Sequence, residues 1–245
     1  MIEAIALKEG NFYVSKEKDF IPLVPDSPNG LKVAVQPFLI KTDTGHVLLD
    51  AGLGTQDDNG LLLHQRLQQA GVAAEDIDAI LLSHLHKDHV SGLGFWKTGV
   101  FQLNFPNAKI YVQSREFYYA LKQVENPSYS REILEALKNL SEVVWMSDDH
   151  GAISDNISYE VTGGHSPFHQ VFWIKDGNKT YFYGADNLPQ KGYFDLNIAY
   201  KTDYDGESAK NDRQTWRQRA EDEQWRVLFY HDMGETIVQY GDHPG

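Results

Sequence analysis

The chain opens with short runs of β-forming residues separated by turn formers. Ile2–Leu7 and Phe12–Val14 are expected to pair as a hairpin across Glu9-Gly10-Asn11. Pro22, Pro25, Pro28 and Gly30 make a loop. Lys32–Ile40 and His46–Asp50 read as strands around the turn Thr42-Asp43-Thr44-Gly45. Leu61–Ala70 has helical character and stops at Gly71, which supplies the left-handed residue that ends many helices. Asp78–Ser83 carries the unbroken run Ala79-Ile80-Leu81-Leu82, bounded by polar residues, as a strand covered on both faces would.

Farther on, Lys109–Gln113 reads as a strand and Arg115–Gln123 and Arg131–Leu140 as helices, with Leu134, Leu137 and Leu140 spaced for one buried face. Strands return at Ile157–Thr162, Gln170–Lys175 and Thr180–Gly184, the last two joined by the turn Asp176-Gly177-Asn178. A polar amphipathic helix over Ser208–Gln224 leads to strands Arg226–Tyr230 and Thr236–Tyr240. Strands, helices, strands and a helix thus recur in two halves. The pattern suits an α/β (α+β) architecture of two packed sheets with helices outside, in one domain over residues 1–245.

Composition narrows the class. The 245 residues carry 22 Lys and Arg against 35 Asp and Glu, a net charge of −13, which disfavours nucleic acid and anionic membranes as partners. There is no Cys, so disulfides, thiol nucleophiles and cysteine-ligated metals are excluded. Any metal must be held by His, Asp or Glu. No stretch approaches the roughly 20 apolar residues of a membrane helix, and the start has no signal-peptide pattern, so a cytoplasmic protein is expected.

The chemistry concentrates where the apolar strand ends, in Ser83-His84-Leu85-His86-Lys87-Asp88-His89. Residues two apart in an extended chain face one side, so His84 and His86 can grip one cation. Asp88 and His89 follow where the chain turns toward a helix, and can reach a second cation. Imidazole and carboxylate suit zinc, iron or manganese. Any one of these residues could be a plain surface or core side chain; the cluster at a strand end is what points to metal.

The run His84-x-His86-x-Asp88-His89 resembles the signature of the metallo-β-lactamase superfamily. The likeness extends over nearly the whole chain. Phe38-Leu39-Ile40 to Leu48-Leu49-Asp50-Ala51-Gly52 resembles its early strand pair, Thr162-Gly163-Gly164-His165-Ser166 a loop that supplies a further His, Gly184-Ala185-Asp186 the strand end that supplies a bridging Asp, and Phe229-Tyr230-His231-Asp232 the last His. The resemblance implies an αββα sandwich of two mixed sheets with helices on the outer faces. It implies two divalent metal ions, zinc first, iron or manganese as options. His84, His86 and His165 would bind one ion and Asp88, His89 and His231 the other. Asp186 and a hydroxide would bridge them, and Asp88 is the catalytic candidate for orienting the nucleophile or moving its proton.

Asp50 is expected to hold a ligand imidazole or its loop by a hydrogen bond. His169 stands between a supporting role and a surface one. His46, His64, His150 and His243 are read as bystanders. The segment Phe105–Glu116 resembles the branch of N-acyl homoserine lactonases and methyl parathion hydrolase. Those lactonases place a Tyr three residues after the bridging Asp; here Pro189 holds that spot, with Tyr193 nearby. Phe95, Trp96, Phe117, Tyr118, Tyr119, Tyr193 and Phe194 are candidates either for the rim of the site or for core packing. The reading is a hydrolase of a small ester or lactone. A thioesterase resembling glyoxalase II, a phosphotriesterase and a non-hydrolytic metal or redox module are its rivals. A small molecule is the expected partner, and the oligomeric state stays open, a homodimer among the options.

Overall fold

In the computed structural model, which describes residues 1–241, the chain forms two compact units. His243 lies outside the described residues. The first unit spans Glu3–Met146. It begins with β1 (Glu3–Ala6), β2 (Gly10–Val14), β3 (Phe20–Pro22), β4 (Leu31–Val35), β5 (Phe38–Lys41) and β6 (His46–Leu49).

Two expectations fail in this stretch. β1 and β2 do not pair with each other. Both run antiparallel to the segment 31–41, with Glu3 opposite Lys41, Ala6 opposite Phe38, Gly10 opposite Val35 and Val14 opposite Leu31. Glu9 therefore lies between two ladders in different sheets and is not the tip of a hairpin, and its N–H donates to Val35 O at 2.9 Å. The segment 32–40 is likewise two strands, broken at Gln36-Pro37, because proline has no N–H to contribute to a ladder. The Pro37 carbonyl still accepts from Leu7 N at 2.8 Å. The loop over Pro22–Gly30 also gives up its first residue to β3, which pairs with β2.

The unit continues with β7 (Gln56–Asp57), β8 (Gly60–Leu61), α1 (Leu62–Gln69), β9 (Ile77–Leu81), α2 (Lys87–Val90), β10 (Gly94–Lys97), β11 (Val100–Leu103), β12 (Lys109–Gln113), α3 (Ser114–Ala120), α4 (Arg131–Asn139) and β13 (Val143–Met146). Its main sheet has the order β1-β5-β6-β9-β12-β13. β9 lies between β6 and β12 and is parallel to both. That central place accounts for its unbroken apolar run: Ala79, Ile80 and Leu81 are all buried. Ser130 caps α4 by accepting from Ile133 N, and the helix buries Ile133, Leu134, Ala136 and Leu137. Leu134 and Leu137 share one apolar core with Leu48, Ile80, Ile110 and Val112.

The second unit begins at Ser147 and includes Met1 and Ile2. It contains β14 (His150–Ala152), β15 (Ile157–Val161), β16 (Gln170–Asp176), β17 (Lys179–Tyr183), α5 (Gly192–Asp195), α6 (Gly206–Asp222), β18 (Arg226–Leu228) and β19 (Ile237–Gln239), its sheet running in that strand order. The expected hairpin is present, with Gly177 at φ +62° in its turn and Asp176 opposite Lys179. Asp205 caps α6 by accepting from Ser208 N. The helix buries Ala209, Arg213, Trp216 and Ala220, one face at helical spacing. Phe182 meets Trp216 and Trp225 with ring centroids 4.9 and 5.1 Å away. Among the described residues, no helix is long and apolar enough to cross a membrane.

Candidate metal centre

In the first unit, the candidate ligands leave the sheet at the carboxyl end of β9. β6 runs parallel beside it, so Asp50 emerges at the same end. Asp50 is fully buried and sits at φ +59°, a left-handed conformation that Asp tolerates better than most residues. Its Oδ1 accepts from Ser83 N at 2.7 Å, and its Oδ2 accepts from Ser83 Oγ at 2.7 Å and pairs with His89 Nδ1 at 2.8 Å. Ser83 Oγ lies 3.0 Å from His84 Nδ1. A carboxylate only accepts, so His89 Nδ1 carries the hydrogen and Nε2 keeps a lone pair for a metal. The expected supporting role of Asp50 is thus visible in its contacts.

The imidazoles gather closely. The His84 ring lies 4.6 Å from that of His86 and 4.2 Å from that of His89. Asp88 Oδ2 is 3.7 Å from His89 Nε2. Tyr129, which the sequence did not suggest, braces His86 from the side, with ring centroids 4.8 Å apart. Their backbones form a bridge, and Lys87 N donates to Ser128 O at 2.7 Å. Burial, then Glu116 and Tyr119, push the Tyr129 phenol up, so it stays protonated.

The second unit brings its candidates to one sheet edge by topology. β15 and β17 both run antiparallel to β16, and β18 is parallel to β17. The carboxyl ends of β15, β17 and β18 therefore share an edge, and His165, Asp186 and His231 follow these three strands. The two Asp186 oxygens face different imidazoles. Oδ2 is 3.3 Å from His165 Nε2, and Oδ1 is 3.1 Å from His231 Nε2. Ala185, just before, holds φ +43°, a conformation that costs a non-glycine residue about 1–2 kcal/mol.

Supporting groups surround this trio. His165 Nδ1 pairs with Asp203 Oδ1 at 2.9 Å, which leaves Nε2 toward Asp186. His165 N donates to Asn187 Oδ1 at 2.7 Å. His169 is fully buried, and its Nε2 accepts from Asp186 N at 3.3 Å; of its two readings, the supporting one holds. Arg213, also buried, donates to Asn187 O at 2.9 Å and to Ile198 O at 2.6 Å. One guanidinium thus ties the turn that carries Asp186 to the loop that delivers Asp203. Burial lowers the Arg213 pKa most, with Asp203 and Asp212 pulling back.

Asp203 and Asn187 escaped sequence reading. Asp203 acts on a residue 38 positions away, from a stretch whose Asp205 serves as a helix cap. The aromatic candidates divide. Phe117 is core, and Phe194 packs against Phe229 and Tyr240. Phe95, Trp96 and Tyr118 are exposed. Tyr193 stacks on Tyr200 with centroids 4.5 Å apart; burial, Tyr200, Asp186 and Asp203 raise its phenol, which stays protonated. Pro189 accepts from His231 N at 2.8 Å through its carbonyl. Of the histidines read as bystanders, His46 meets the Asp76 carbonyl, His64 the Asn104 carbonyl, and His150 lies exposed in β14.

The donor set is all imidazole and carboxylate, which fits divalent zinc, iron or manganese. Comparison with known proteins agrees. Residues 32–231 match the metallo-beta-lactamase superfamily. An N-acyl homoserine lactonase of Bacillus thuringiensis is 25% identical over 224 residues, covering 83% of each chain. A probable metal-dependent hydrolase from Staphylococcus aureus superposes with a TM-score of 0.81 at 20% identity, over 98% of this chain and 93% of that one. The dizinc quorum-quenching lactonase AidC superposes with a TM-score of 0.69 at 25% identity, over 88% of this chain and 78% of that one. The chain belongs to the metallo-β-lactamase superfamily, has its mixed α/β fold, and falls with its lactonase-like branch. It is a metal-dependent hydrolase.

Proposed function

We propose that the chain is a dinuclear hydrolase of small esters or lactones, built as one catalytic domain over residues 1–245. His84, His86 and His165 would hold one metal, Asp88, His89 and His231 the other, with Asp186 between them. The observation that carries this reading is the Asp186 carboxylate, whose two oxygens face two different imidazoles, as a bridging ligand's would. The family match runs through every one of these residues. Zinc is the favoured metal, given the donor set and the dizinc relative.

Bound metals would supply Lewis acidity and lower the pKa of water to about 7, giving hydroxide at neutral pH. The residues of the chain do the rest. Asp50 and Asp203 fix the rings of His89 and His165 by holding Nδ1. Asp88, buried and acceptor-only when ionised, can orient the nucleophile or take its proton. The charge of −13 disfavours polyanions, which supports a neutral ester or lactone over nucleic acid.

The test is metal analysis of purified chain, coupled to kcat/KM on a panel of lactones, thioesters and aryl phosphotriesters. Two equivalents of metal and the highest kcat/KM on lactones or esters are expected, with metal content and turnover both lost in Asp186→Ala. Preference for thioesters or phosphotriesters would reassign the substrate. Full turnover by metal-free Asp186→Ala would overturn the mechanism.

A further inference from the structure

Glu9 is a buried carboxylate far in sequence from the candidate ligands. It sits at the bend between β1 and β2 and is 5% exposed. Its Oε1 accepts from Leu53 N at 3.0 Å and Gly54 N at 3.4 Å, and its Oε2 accepts from Thr55 N at 2.8 Å. Successive N–H groups converge on one anion in this way when left-handed residues alternate with others. Gly52 and Gly54 both hold φ +77°. A Cβ on Gly52 would lie 1.8 Å from Glu9 Oε1, so the loop is shaped closely around the carboxylate.

That loop also grips the segment of His89. Asp50 pairs with the His89 ring, Ala51 N donates to His89 O at 2.7 Å, and Gly52 O accepts from Gly92 N at 3.1 Å. The loop from Asp50 to Thr55 is thus held at one end by Glu9 and holds His89 at the other. We infer that Glu9 is a positioning residue for the metal site: its two carboxyl oxygens gather three successive N–H groups and set the loop, and the loop sets the ring of His89. The inference rests on the metal reading of His89 given above. A glutamine cannot substitute, because its amide offers one oxygen and turns an NH2 group toward an N–H donor.

The experiment uses the full chain as wild type, Glu9→Gln and Glu9→Asp, the last keeping the carboxyl group on a shorter arm in case Glu9→Gln does not fold. Three quantities are read: amide hydrogen exchange at Leu53, Gly54 and Thr55 in metal-free protein, the His89 Nδ1–H proton resonance, and zinc affinity by chelator competition. Expected are faster exchange confined to those amides, a shifted or broadened His89 resonance, and zinc affinity lower by up to about 10-fold, the low end of the range for direct partners of ligands. Wild-type affinity in a variant whose loop has loosened would overturn the inference, as would unchanged exchange. Loss of protection across the whole first unit in both variants would also overturn it, since Glu9 would then serve the fold at large. A wild type that takes up no zinc would fail the metal reading itself, whereas zinc-binding wild type matched by its variants fails only the role of Glu9.

Discussion

Asp50→Asn tests the logic of the candidate site most directly, because it changes what one buried side chain can accept and little else. Asp50 receives Ser83 N, Ser83 Oγ and His89 Nδ1, at 2.7, 2.7 and 2.8 Å. Asparagine fills the same space and tolerates the φ of +59°, whereas Ala there would add about 1–2 kcal/mol of backbone strain. If the oxygen of the introduced amide keeps Ser83 N, its NH2 faces Ser83 Oγ and His89 Nδ1. Ser83 Oγ can rotate and accept. His89 Nδ1 can accept only by losing its hydrogen, which then moves to Nε2 and occupies the lone pair that a metal needs. Keeping the metal-binding tautomer instead forfeits a charge-assisted hydrogen bond of about 1.5–3 kcal/mol. That converts to roughly 10- to 150-fold in zinc affinity, overlapping the 10- to 100-fold typical of such partners. The assay is chelator competition for zinc on wild type and Asp50→Asn, with urea unfolding of the metal-free forms run in parallel. The stability loss belongs to both metal-free and loaded protein, and the affinity loss measures the tautomer. Reduced stability with unchanged zinc affinity would refute the reasoning, because Asp50 would then support the strand ends and not the ligand.

Two further predictions concern the second unit. Arg213→Lys is expected to cost about 1–3 kcal/mol, because an ammonium on a flexible stem cannot span the Asn187 and Ile198 carbonyls; urea unfolding and limited proteolysis within residues 196–205 would report it, and an unchanged midpoint would count against it. Asp212 is pushed up from 3.8 to about 6, by burial first and then by Glu160, against the pull of Arg213. Between those values the folded state keeps a proton that the unfolded chain has lost, so stability falls as pH rises from about 4 to about 6 and the loss is complete above that. Asp212→Asn is therefore expected to raise Tm at pH ~7.5 by a few degrees, on the order of 1 kcal/mol after solvent screening, and to give no gain near pH ~4. A gain of equal size at both pH values would show that ionisation is not the cause.

What the sequence disclosed was whatever depended on neighbours along the chain. β9 was legible because a parallel strand buried on both faces presents no polar side, and the His–Asp run was legible because its members are adjacent. Asp50 could be anticipated as a carboxylate at the end of a strand. The misreadings came from pairing across distance. Residues 2–14 look like a hairpin because Gly10 and Asn11 favour turns, yet the backbone partner of both strands is the segment 31–41. Glu9 and Asp203 reach residues 44 to 46 and 38 positions away, and no spacing rule reports such contacts. Tyr129 reads as an ordinary loop aromatic until the fold sets it against His86.

Buried carboxylates also bear on the proposal that the candidate site holds metal. Asp50, Asp88, Asp186 and Asp203 have side chains 0, 9, 11 and 7% exposed. Enclosing one ionised carboxylate without compensation costs several kcal/mol, and hydrogen bonds from neutral imidazoles and hydroxyls offset that only in part. With Asp50 and Asp203 holding Nδ1, the rings of His89 and His165 would serve as neutral ligands and add no positive charge. On the proposed reading, four carboxylates and one hydroxide, −5 in all, would stand against two dications of charge +4. The two ligand carboxylates and the hydroxide would leave one positive charge, so Asp50 and Asp203 would have a second use besides fixing tautomers: they would offset it.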